Sequence, residues 1–106
     1  MTPEWTHHVI AGATGAVAVN VVPHLAHAVA GKPFPTPFAD PPGVGDSPPG
    51  LNVVWASMNA TAAAALLRVE RNRLDRPVFW GAFGLGASAA ALGLRSYFGR
   101  VRGTST

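Results

Sequence analysis

Three apolar runs alternate with two polar interruptions along the chain, and that alternation predicts the architecture. Residues 9–30 hold 22 positions without a formal charge; as a helix they extend about 33 Å, enough for a hydrocarbon core of about 30 Å. A proline- and glycine-rich stretch fills residues 31–50. A second apolar run follows at 51–67, short for a span, and stops at RVERNRLDRP. The third runs from Val78 to about Leu94, with Pro77 suited to its first turn. The pattern predicts an all-α protein of about three transmembrane or membrane-embedded helices, at roughly 9–30, 51–70 and 78–95. A tail over 96–106 is expected to lose order.

Each predicted helix has a small, polar face. In the first, Gly12, Ala16, Asn20 and His24 recur every four residues, with His27 three further on. Val9, Val17, Val22 and Val29 lie opposite and suit lipid. In the second, Asn52, Ala56, Asn59 and Ala63 share a face. The third offers two small faces, Gly81, Gly84 and Ser88 on one and Ala82, Gly86 and Ala90 on the other. In a membrane such faces are packing surfaces, because small residues let backbones approach and polar groups find partners across helices. Pro23 removes one backbone donor and is expected to kink or break the first helix.

Seven of the ten prolines lie in residues 31–50, so neither a helix nor a sheet is expected there. Phe34 and Phe38 set this loop apart from a flexible linker, which would be Gly/Ser-rich and polar. Two rings docked on the protein or at the membrane interface account for them. The alternative is a semi-rigid solvated spacer.

Charge sharpens the membrane expectation. Only 12% of residues are charged, against about 25% in an ordinary soluble domain, and they cluster outside the apolar runs. A net charge of +3 is compatible with nucleic acid, but the arginines sit at segment ends without a basic stripe interleaved with exposed aromatics, so no nucleic-acid partner is expected. Trp5, Trp55 and Trp80 also fall near segment ends, as in an aromatic belt. Arg71 and Asp75 stand at i, i+4, where a surface ion pair is expected. There is no cysteine, which removes disulfides and thiolate chemistry. MTPEWTHH lacks the basic start of a secretory signal, so the first apolar run is taken as part of the mature protein. Positive-inside counting ties at four on each side; the tight clustering in 68–76 favours that loop as cytoplasmic.

Pro23-His24, Gly31, Phe34-Pro35-Thr36-Pro37-Phe38-Ala39, Pro41-Pro42-Gly43-Val44-Gly45, Pro48, Asn52-Val53-Val54-Trp55 and Asn59 together resemble a group of short bacterial membrane proteins of uncharacterised activity. Asp46 stands where that group has serine, and Ala56 where it has glycine. The resemblance implies a bacterial cell (inner) membrane and a proline loop that forms one unit with its flanking His and Asn residues. It implies no activity.

Chemistry is sparse. His24 and His27, three residues apart with Asn20 a turn earlier, could share a metal, or one could ligate haem. Two imidazoles without a carboxylate or thiolate fall short of a zinc ligand set. Hydrogen bonding to the loop or to a neighbouring helix is the simpler role. His7 and His8 are expected at headgroup level. No serine or threonine has a convincing base, and paired carboxylates and a phosphate-cradling loop are missing, so an enzyme is not expected and the cofactor is left unspecified. The leading expectation is an accessory or structural subunit of a homo-oligomer or larger membrane complex. Its partners would be lipid and other subunits or copies, and Asn20, His24, Phe34, Phe38, Asn52 and Asn59 its interaction residues. The alternatives are a membrane protein binding metal or haem through His24 and His27, and a soluble helical protein with a proline-rich recognition loop.

Overall fold

The computed structural model describes residues 2–102. It is all-α, with three long helices: α1 over Glu4–Val29, α2 over Pro49–Val69 and α3 over Pro77–Val101. Each is long and apolar enough to cross a membrane. The long axis is 46 Å, close to the ~40–45 Å of a bilayer with its headgroups.

Prolines set the starts. Pro49 and Pro77 occupy the first turns of α2 and α3, where a missing N–H breaks no helical bond. Pro3 caps α1, and Glu4 puts a negative charge in its first turn. This begins α1 five residues earlier than the uncharged run suggests. Its end is set by Gly31, whose φ of 71° lets Lys32 N–H reach His27 O at 2.8 Å and Gly31 N–H reach Ala28 O at 3.0 Å. Pro23 does not break the helix, which runs on to Val29.

Two expectations need correction. Residues 96–101 are not a tail: α3 continues to Val101, because Tyr97 and Phe98 face the proline loop and pack there. The loop itself is not free of sheet. Phe34–Pro35 and Asp46–Ser47 form a two-residue antiparallel pair, with Phe34 opposite Ser47 and Pro35 opposite Asp46. So small a ladder leaves no repeating pattern to see in the sequence.

The first helix is the hub. It packs along both α2 and α3, whereas α2 and α3 barely touch. Against α3 the backbones meet at glycine: a Cβ on Gly86 would stand 1.9 Å from Gly12 O, and one on Gly15 would stand 2.1 Å from Phe83 O. The Gly86 face of α3 is therefore the one turned inward. Gly81 and Gly84, on the other small face, have open space where a Cβ would go. Against α2 the contact is polar, and the four buried residues of α2 are Asn52, Ala56, Asn59 and Ala63.

Candidate functional site

Beneath the proline loop, where α1 ends and α2 begins, lies a sealed polar seam. His24 and Asn52 are almost fully buried, at 2% and 0% exposure, and each needs partners because an unmet buried polar group costs on the order of 1–3 kcal/mol. They supply each other. His24 Nδ1–H donates to Asn52 Oδ1 at 2.8 Å. The Asn52 amide then donates to Phe34 O at 3.0 Å and Ser47 O at 3.1 Å, the two chain segments paired in the loop. One side chain thus ties α1, α2 and both strands of the loop together.

The loop closes over this bond. Thr36 and Ser47 are buried and share a hydroxyl hydrogen bond of 2.6 Å. Thr36 O accepts from Gly43 N–H at 2.8 Å and Ala39 N–H at 3.1 Å. Phe34 is buried at the centre of an aromatic cluster: His27 stacks on it at 3.8 Å between centroids, Phe98 lies at 4.5 Å, and His24 meets it edge-on at 5.5 Å. Arg102 reaches over the same ring, its guanidinium carbon 5.3 Å from the centroid, and also binds Asp46 at 2.6 Å and Pro33 O at 3.1 Å. Phe38 is different. It stays half-exposed and meets Trp55 edge-on at 5.6 Å.

A second polar contact lies further along the same two helices. Asn20 Nδ2 donates to Asn59 Oδ1 at 3.2 Å, and the Asn59 amide donates to Trp55 O at 2.9 Å. His27 does not join His24 at a common point; its Nδ1–H donates to Pro23 O at 2.6 Å. Among the described residues no group of three or more His, Cys, Asp or Glu could hold a metal ion.

The far end holds contacts that the sequence did not disclose. His7, expected at headgroup level, lies near the start of α1 and is joined to Glu70, 2.7 Å away, whose side chain is only 3% exposed. The antiparallel register that pairs Asn20 with Asn59 runs on to bring these two together. Glu4 binds Arg73 and lies 3.8 Å from Arg76. Among the described residues Arg71 forms no ion pair with Asp75; it donates to Arg68 O at 3.2 Å. Residues Arg71–Arg73 form a 3-10 turn, so the i, i+4 spacing of a continuous α-helix does not hold between Arg71 and Asp75. Tyr97, Phe98 and Arg102 were likewise missed as partners of the loop, since a helix ending at 95 would not have carried them there.

Comparison with protein-family models, with curated proteins and with solved structures finds no match for this chain.

Proposed function

We propose that this is a small integral membrane protein that crosses the bilayer three times and serves as an accessory or structural subunit, in a homo-oligomer or a larger complex of the bacterial inner membrane. The observation that carries it is α3. Only 6% of the residues in an apolar 18-residue window of α3 are buried inside the chain, against 22% in α1 and in α2, and Leu85 and Leu92 stand 75% and 66% exposed. An apolar helix so little covered needs lipid or another protein around it.

Its open glycines favour the subunit role over a lone protein in lipid. Glycine in a helix interior costs nearly ~1 kcal/mol against alanine. At Gly86 that cost is offset by contact with α1, but a Cβ added at Gly81 or Gly84 would meet nothing within 4 Å. A neighbouring helix packed on this face would use them. The ends of the molecule support the span: Arg68, Arg71, Arg73 and Arg76 gather at one, Lys32, Arg95, Arg100 and Arg102 at the other, with Trp5 and Trp80 at the first and Trp55 near the second. We infer that the Arg68–Arg76 end faces the cytoplasm, because its four arginines are the most tightly clustered in sequence.

Carbonate washing of membranes is expected to leave the protein in the pellet; release to the supernatant would rule out the span. Mass determination of the particle in mild detergent is expected to exceed one chain, and a lone monomer would rule out the subunit role. A cysteine at exposed position 72 should resist an impermeant thiol reagent added from the periplasmic side.

A further inference from the structure

Because α1 carries α2 and α3 on different flanks and these two barely touch, a groove remains between them, about 420 Å³ in volume, with α1 as its floor. Ala16, Val17, Ala90, Gly93 and Leu94 line it, with Asn20 in the floor and Asn59 on the α2 side. A helix could lie close here.

The groove also has an unmet polar atom. The Asn59 amide nitrogen is held by Trp55 O, so Asn59 turns its oxygen to Asn20, and Asn20 must answer with its nitrogen. This leaves Asn20 Oδ1 without a partner among the described residues, and it is not sealed inside the protein. An amide carbonyl at this depth in a bilayer has no water to turn to.

The complementary group is on this same chain. Ser57 is exposed on α2, and its hydroxyl has no hydrogen-bond partner among the described residues. It lies about 100° round the helix from buried Ala56, so it points away from α1. Exposed Ala60 and Ala64 follow it on the same flank and exposed Val53 precedes it by one turn, making a ridge of short side chains. Depth also agrees: Ser57 is two residues from Asn59, about 3 Å along the axis, and Asn59 is bonded to Asn20. Rotation about an axis along the membrane normal keeps equal depths equal, so Ser57 of a second copy arrives at the level of Asn20.

We propose that the groove between α2 and α3 receives the α2 ridge of a second copy of this chain, with the Ser57 hydroxyl of that copy donating to Asn20 Oδ1. The inference rests on the membrane-subunit function above and chooses self-association within it. Groove and ridge are different surfaces, so the contact can repeat around a closed ring.

The chain has no cysteine, which allows a clean crosslinking test in native membranes. Two differently tagged chains, Asn20→Cys and Ser57→Cys, are expected to form a mixed disulfide on oxidation, while Asn20→Cys with Ser88→Cys does not. Ser57→Ala, at an exposed position, is expected to keep full helicity and to weaken self-association in detergent about three-fold, or ~0.6 kcal/mol, the average for an interhelical hydrogen bond. Absence of the 20–57 crosslink in a chain that still oligomerises, or unchanged association of Ser57→Ala, would overturn the contact and leave the subunit function standing. A native chain that is strictly monomeric would overturn both.

Discussion

His24 on α1 and Asn52 on α2 are joined by a 2.8 Å hydrogen bond with both side chains buried, 28 residues apart in sequence. The bond closes the first helical hairpin at the end where the proline loop connects it. Since Asn52 also holds Phe34 O and Ser47 O, the loop is fastened to the helices through one amide.

Replacing Asn52 with leucine should therefore be among the most damaging single changes. It strands His24 Nδ1 and two loop carbonyls, each with a desolvation cost of ~1–3 kcal/mol. Thermal unfolding in detergent is expected to shift by several degrees at least, and cleavage by protease within residues 39–46 to accelerate. Unchanged protease resistance would show that the loop is held by its own turns alone.

Glycines of α3 separate into two classes. Gly86→Ala places a Cβ against the Gly12 backbone, which cannot yield as a flexible side chain could, so α1 and α3 must move apart; a loss of ~1–3 kcal/mol is expected, in the range for overpacking. Gly81→Ala meets open space within the chain and should raise the stability of the monomer by up to ~1 kcal/mol from helix propensity. Equal effects at the two positions, measured by unfolding of the monomer, would contradict the packing.

Glu70 is buried against His7, so His7 is a structural residue and not an inert position at the membrane surface. His7→Leu should destabilise by ~1–3 kcal/mol because a buried carboxylate loses its partner. The double variant His7→Leu with Glu70→Leu should recover part of that loss. Strict additivity of the two single changes in a double-mutant cycle would show that the pair is not coupled.

Local information sufficed for much of this. Three helices, their approximate bounds and the buried face of α2 follow from periodicity and from the absence of charge, because a bilayer-length helix satisfies its own backbone and needs only an apolar exterior. Proline and glycine positions likewise mark the helix ends, since φ and a missing donor are properties of single residues. What the sequence could not determine was pairing. Two small faces on α3 are equivalent as patterns, and only the close approach of Gly86 to Gly12 selects one of them. His24 and His27 look like neighbours sharing a task, yet one bonds across to Asn52 and the other back to Pro23 O. Phe98 and Arg102 become part of the loop's cover only once α3 is packed beside α1. Each of these contacts depends on the relative shift and rotation of two helices, and that is set by the sum of many small packing and hydrogen-bond terms along α1, which no local stretch of residues contains.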